Sequence, residues 1–327
     1  MNMKTFMTKA YRVDGPASVP ITVGLYGLDR ISWRTRRYAE RLLYWYKCRQ
    51  NGQPIAHTDY GFSLHLNPSD EGFSREILWG KRESFAAEYY MQFVDDTDVI
   101  FDIGANIGYY VNVERKAAPQ AQIYAFEPVS ETYSYLLKNI PDANVFPHKL
   151  AISDRVGTSK IAIAENRNLS TMMSDGDGEP VTTTTLDTFC REHGVTPTVL
   201  RMDTEGYEVP ILHGAQRLIE SDCPLKIFME THPTLAGIDT ELKLFRWLER
   251  NGLEVDRLFL WTPFSDSPLW MLHDKWLERE ARLEGVNIKI GENPATMLEQ
   301  LTKSGLGALV FWRRVSPGKG KSGGVEG

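Results

Sequence analysis

VIFDIGANIG, from Val99 to Gly108, is the stretch on which the reading of the chain turns. VIFDIG (99–104) is a short run of branched and aromatic residues, and such a run suits a strand buried on both faces. It ends in Asp102-Ile-Gly104-Ala-Asn106-Ile-Gly108, where two glycines permit a tight turn and the close approach of a ligand to the backbone. YYVNVERKAAPQ follows with helical spacing, so the turn opens a helix whose free N–H groups can meet a polar ligand. Strand, glycine turn and helix form the first unit of a doubly wound α/β sheet.

The alternation continues downstream. IYAFEP (123–128), VFPHKLAIS (145–153), TVLRMD (198–203) and LKIFME (225–230) read as further strands. Between them SETYSYLLKNI, TTLDTFCREHG and VPILHGAQRLIESD have helical periodicity, with Ser130 as an N-cap and Asp187 in a first turn. This order predicts a parallel sheet with helices on both faces. KIAIA (160–164) and VTTTT (181–185) flank a polar Gly-Asp loop and predict an inserted hairpin. ELKLFRWLERNG closes on Asn251-Gly252, and LEVDRLFLW (253–261) and GALVFWRR (307–314) are the last two strands.

The flanking parts are less regular. Within 31–50, Tyr38, Leu42 and Trp45 share one helical face and Arg34, Arg37 and Arg41 another. This is a surface helix packed through its aromatics, with an anionic substrate or a membrane surface as the alternative use of the arginines. GFSLHLNPSD reads as a strand and turn, and KRESFAAEYYMQFVD (81–95) as an amphipathic helix leading into the main domain. HDKWLEREARLEG reads as an exposed helix. The division expected is an extension over 1–95 that covers the substrate, a main domain over 96–315 and a disordered tail over 316–327.

Composition narrows the function. The 327 residues are 42% hydrophobic and 24% charged, which argues against wholesale disorder. A net charge of −6 disfavours a broad basic surface for nucleic acid. Cys48, Cys190 and Cys223 form no CxxC, which excludes a disulfide framework and a thiolate-only zinc site and fits a reducing compartment. No run reaches the ~18–20 apolar residues of a membrane-spanning helix, and MNMKTFMTKAYRVDG has no apolar signal core. The expectation is a soluble cytoplasmic protein.

In a doubly wound sheet the ligand lies at the carboxyl ends of the strands, so the residues just after each strand carry the chemistry. Glu127 ends the second strand about 20 residues past the last glycine, where an acid can accept both hydroxyls of a ribose. A dinucleotide site wants a third glycine, which the G-x-x-x-G spacing lacks. Asp102, two residues before Gly104, is unhelpful beside a pyrophosphate but suits a ligand with an ammonium and a sulfonium. That ligand is S-adenosylmethionine. The fourth strand ends in Arg201-Met-Asp203-Thr-Glu205-Gly206-Tyr-Glu208 and the fifth in Glu230-Thr-His232-Pro233. Asp203, Glu205, Glu230 and His232 are the candidate functional groups. Glu208, close before Pro210, reads as an acid in a helix first turn.

DIGANIGYY, AFEP, AISD, TTTTLDTF, LRMDTEGYEVPILHGA and FMETHP, in this order, resemble the FkbM-type S-adenosylmethionine-dependent methyltransferases over about 97–235. Arg201 stands where the family more often has lysine, and Thr204 where it often has a branched apolar residue. The resemblance implies a class I methyltransferase fold, Rossmann-like, with a seven-stranded, mostly parallel sheet whose last strand is antiparallel. It implies O-methylation of sugars, polyketides and related small molecules. Carried over, Asp102, Gly104, Ala105, Asn106 and Gly108 line the methionine half of the cofactor and Glu127 holds the ribose. Ile152 and Ser153 border the adenine, and Asp203 lies below the reactive end.

The reaction expected is in-line displacement, in which an acceptor oxygen attacks the sulfonium methyl. Alignment contributes about 7–11 kcal/mol and a general base about 10²–10⁴-fold. His232 is the first candidate base because an imidazole titrates near neutrality. Glu230 orients it or serves itself, and Asp203 and Glu205 are the alternative. The acceptor is a hydroxylated sugar, glycolipid or metabolite, not a nucleic acid. Trp33, Tyr44, Trp45, Trp261, Phe264, Trp270 and Trp276 are candidates for a cover that stacks on a sugar. The leading reading needs no metal. Alternatives are a divalent metal on Asp203, Glu205, Glu230 and His232 that orients a diol, a non-catalytic binding module, and an NAD-dependent dehydrogenase.

Overall fold

The computed structural model describes residues 55–58, 60–67, 70, 73, 74, 77, 84–140, 144–162, 171–173, 178–260 and 293–315. The chain divides into two compact units, Met1–Gly52 with Thr262–Ile290, and Gln53–Trp261 with Gly291–Gly327. All described residues belong to the second. The helix expected over 31–50, the HDKWLEREARLEG helix, the tail and the seven aromatics of the expected cover lie outside them.

Two short strands, β1 (Ile55–His57) and β2 (Ser63–His65), pair antiparallel. Next come α1 (Ser84–Phe93), β3 (Val99–Ile103), α2 (Tyr109–Ala117), β4 (Gln122–Phe126), α3 (Ser130–Asn139) and β5 (Val145–His148). β6 (Ala151–Ile152), β7 (Gly157–Ala162), β8 (Thr171–Met173) and β9 (Glu179–Thr184) precede α4 (Leu186–His193) and β10 (Val199–Met202). The chain goes on through α5 (Glu208–His213), α6 (Gln216–Glu220), β11 (Lys226–Glu230), α7 (Pro233–Ala236) and α8 (Ile238–Arg250). The last described elements are β12 (Leu253–Leu260), α9 (Pro294–Lys303) and β13 (Ala308–Arg314).

Seven strands form the central sheet in the order β12-β13-β11-β10-β3-β4-β5. β11, β10, β3, β4 and β5 pair in parallel, and β13 runs antiparallel to both β11 and β12. This is the class I methyltransferase arrangement expected from the resemblance. The apolar runs are buried because both faces of the sheet are covered. Phe101, Phe126, Phe228, Phe311 and Trp312 are fully buried. Phe228 and Phe311, cross-strand partners on β11 and β13, stack with centroids 4.3 Å apart. Tyr89, Tyr90 and Phe93 of α1 close over the same face through Phe311 and Phe228.

Several local expectations shift. VFPHKLAIS is not one strand. β5 joins the central sheet, Leu150 N–H turns back onto His148 O, and β6 joins a second sheet ordered β6-β9-β7-β8. The inserted hairpin is present as the antiparallel pair β7 and β9, and β8 adds to it. Ser130 is the first helical residue of α3 rather than its cap, which is Val129. VPILHGAQRLIESD breaks at Gly214-Ala215 into α5 and α6. Among the described residues no helix is long and apolar enough to cross a membrane.

Candidate active site

The turn after β3 places three residues at positive φ: Gly104 (78°), Asn106 (49°) and Gly108 (90°). Asn106 tolerates this conformation, its side chain accepting the Ile107 N–H at 2.7 Å. A Cβ on Gly104 would stand 2.3 Å from the carbonyl oxygen of Asp203. The close approach at this glycine is therefore made by the end of β10. Asn139 of α3 braces the turn, donating to Ile107 O and His65 O and accepting His65 N–H.

Glu127 follows β4 and is buried. Its Oε2 accepts Asn106 N–H at 3.1 Å and its Oε1 accepts Val129 N–H at 2.9 Å. Burial raises its pKa from the ordinary 4.5 to about 7, against the lowering effect of these two bonds. One cavity joins it to two chemical sets of side chains. Phe126, Val129, Leu150, Ile152, Ile161 and Ile211 are apolar; Asn106, Asp203, Thr204 and Glu205 are polar, and Gly104 lies among them.

Behind the polar set lies a buried ionic knot. Arg201 Nη1 donates to Asp102 Oδ1 and to Gly104 O, both at 3.0 Å, and Nη2 donates to Asp203 Oδ2 at 3.1 Å. Its guanidinium lies 4.2 Å from the centre of the Tyr110 ring. Asp102 and Arg201 stand opposite each other in the β3–β10 register, so the pair follows from adjacency of the strands. Deeper still, the Tyr90 hydroxyl donates to Glu114 Oε1 at 2.8 Å. Burial, then the charge of Asp102, pushes Glu114 well above the usual carboxylate range.

His232 follows β11, between three carboxylates. Nδ1 is 3.3 Å from Glu208 Oε1, and Nε2 is 3.5 Å from Glu205 Oε2 and 3.6 Å from Glu230 Oε1. Its backbone N–H donates to Glu241 Oε1 at 2.7 Å. Burial opposes its charge, but the hydrogen bond to Glu208 and the charges of Glu208, Glu230 and Asp203 prevail and raise its pKa to about 10. At neutral pH it is an imidazolium, with no lone pair for a proton.

Gly104, Asn106, Glu127, Ile152, Asp203 and Glu205 thus line one cavity. Asp102, Ala105, Gly108 and Ser153 are buried behind that lining. Ser153 hydrogen-bonds through its hydroxyl to the Tyr207 hydroxyl at 3.1 Å. Glu230 and His232 join the group through Glu205. Glu208 occupies the expected helix first turn, yet it is buried, accepts Thr204 N–H and Oγ1–H at 3.0 Å, and faces His232. Glu241 was not among the expected site residues. Its only sequence signal is an acid in the first turn of α8, which any helix welcomes.

With this geometry in hand, similarity to known proteins decides the family. Residues 102–255 match the methyltransferase FkbM domain. This part of the chain is an FkbM methyltransferase domain. The match bears out a methyltransferase that uses S-adenosylmethionine. The hexuronic acid methyltransferase AglP of Haloferax volcanii is 27% identical over 179 residues, 51% of this chain and 70% of AglP. Among solved structures, methyltransferase FkbM from Methylobacillus flagellatus KT aligns with a TM-score of 0.41 at 16% identity, over 61% of this chain and 51% of that one. TYW2 of M. jannaschii in complex with AdoMet aligns with a TM-score of 0.40 at 14% identity, over 80% and 87% of the two chains. The chain spans about half the length of the FkbM structure.

Proposed function

We propose that this FkbM domain methylates a hydroxyl of a sugar, glycolipid or secondary metabolite. One observation carries the reading: a cavity at the strand ends that combines an apolar set, the buried carboxylate of Glu127 and the acids Asp203 and Glu205. A sugar acceptor is supported by the hexuronic acid methyltransferase relative. S-adenosylmethionine, when bound, supplies a methyl group activated by a positive sulfur. The residues suit it. The apolar set accommodates a base, and the oxygens of Glu127, each accepting one backbone N–H, can each accept a second hydrogen bond from a ribose diol. The acids offset positive charge.

Acceptor activation falls to the carboxylates. Glu205 lines the cavity beside His232 Nε2, so it takes the proton from the acceptor hydroxyl. His232, protonated and gripped by Glu208, positions Glu205 and Glu230 and offsets their charge. The test is titration calorimetry with S-adenosylhomocysteine, followed by a screen of hydroxylated acceptors with radiolabelled methyl donor. Binding near micromolar affinity, and a Glu205→Gln variant that binds normally but transfers at least 100-fold more slowly, is the expected result. Normal turnover in that variant removes Glu205 as the base.

A second reading has one observation in its favour. Asp203, Glu205 and His232 each offer a ligand atom, and these atoms lie within 4.8 Å of one another. An oxygen-rich set suits Mg²⁺ or Mn²⁺, and a carboxylate on the far ring nitrogen is how metal-binding histidines are commonly held. Here His232 would have to release its Nε2 proton to ligate, and the metal would orient an acceptor diol. Activity that survives prolonged chelation dismisses this reading.

A further inference from the structure

We infer that the inserted sheet supplies the base-contacting wall of the cofactor cavity, with Ile161 of β7 as the side chain that packs against the base. The inference rests on the cofactor reading above. Ile161 belongs to a sheet separate from the central one, yet it lines the cavity that holds Glu127. It is buried in an apolar cluster with Val129, Ala151 and Val181. Val129 gives its backbone N–H to Glu127, and Ala151 and Ile152 line the same cavity, so the cluster seats Ile161 against two segments of the lining.

The wall is also tied in place from outside the cluster. Ile161 stands opposite Glu179 in the β7–β9 register. Glu179 Oε1 accepts the backbone N–H of Ser130 at 2.8 Å, and the Ser130 hydroxyl donates to the same oxygen. Lys149 Nζ lies 3.9 Å from it. Ser130 begins α3, three residues after Glu127. The acid that would hold the ribose and the side chain that would face the base are therefore joined by a short run of bonds. Gly178 fits the same design, since a Cβ there would stand 2.7 Å from the Ile161 carbonyl oxygen. An apolar wall of this kind favours a flat, weakly polar base and disfavours a charged or strongly hydrated one.

The test uses the full chain, with S-adenosylhomocysteine and with 5′-methylthioadenosine, which keeps the base and ribose but lacks the amino-acid chain. Ile161→Glu should weaken both ligands at least tenfold and by the same factor, and Ile161→Ala about threefold. Val181→Ala trims the same apolar cluster from a residue outside the cavity lining; it should leave both affinities within twofold, whatever it does to the melting temperature. Wild-type affinity in both Ile161 variants overturns the inference, as does equal weakening by Val181→Ala and Ile161→Ala. If Ile161→Glu fails to fold, Ile161→Ala decides. If the unmodified chain binds neither ligand, the cofactor reading itself fails and this inference falls with it.

Discussion

Nδ1 of His232 lies 3.3 Å from Oε1 of Glu208, a carboxylate buried at the start of α5. This contact ties the end of β11 to the start of α5, and it gives the histidine its charge. In Glu208→Gln the imidazole loses its principal partner, so its pKa should fall from about 10 by more than one unit, read by NMR of the ring protons. The linkage has a sign. A histidine whose folded value exceeds its ordinary 6.5 contributes stability fully below that pH and loses it as pH rises through about 10. Wild-type unfolding midpoints should decline across that window, and the decline should flatten in the variant. An unchanged histidine titration in Glu208→Gln contradicts the assignment.

Arg201 is the only described cation bonded to both Asp102 and Asp203, and its guanidinium and Asp102 are out of water. Removing one partner of a buried ion pair strands the others, at about 3–5 kcal/mol. Arg201→Met should show a loss of that order in denaturant unfolding. Arg201→Lys keeps the charge, but a point donor cannot replace a planar fork, so an intermediate loss is expected.

Glu127 and Glu241 both carry folded-state values of about 7 against an ordinary 4.5. In each case burial is the main cause. Their folded forms hold protons that the unfolded chain releases, so their contribution to stability falls as pH rises from about 4.5 to 7. Cofactor affinity runs the other way. In the proposed role the ionised carboxylate of Glu127 accepts the ribose diol, so S-adenosylhomocysteine should bind more weakly below pH 7, by up to about tenfold per pH unit. Glu127→Gln should bind weakly at every pH, without that slope. A slope that persists in Glu127→Gln points to another group.

Gly104→Ala collides with backbone, not with a movable side chain. The added Cβ would meet Asp203 O at 2.3 Å, at a φ of 78°. Strain of about 3 kcal/mol is the expected minimum, which corresponds to roughly 6–12 °C in melting temperature. A variant that melts within 2 °C of wild type contradicts the close approach described here.

The strand ends were legible in the sequence because runs such as VIFDIG and LKIFME are apolar on both faces, and strands buried on both faces leave that mark. Glu127 was legible for the same reason, as an acid directly after such a run. What stayed hidden depended on neighbours remote in the chain. Arg201 meets Asp102 only because β10 lies beside β3, and no local pattern announces that register. Glu208 looked like any acid in a helix first turn; whether it points outward or at a histidine is a tertiary fact. The charge of His232 needs acids converging from the ends of two strands and the start of a helix, so its ordinary pKa was the wrong guide. VFPHKLAIS read as one strand because nothing in its composition marks the turn at Leu150.

Among the described residues β5 is the outermost strand on its side of the central sheet. His148 O faces inward, accepting Glu127 N–H, so the alternate residue Pro147 faces outward. Proline has no N–H to offer an incoming chain, and its carbonyl is already occupied by the Tyr133 hydroxyl at 3.2 Å. At that point the rim offers a second molecule no donor and a carbonyl already engaged on one side, which guards it against strand-to-strand self-association.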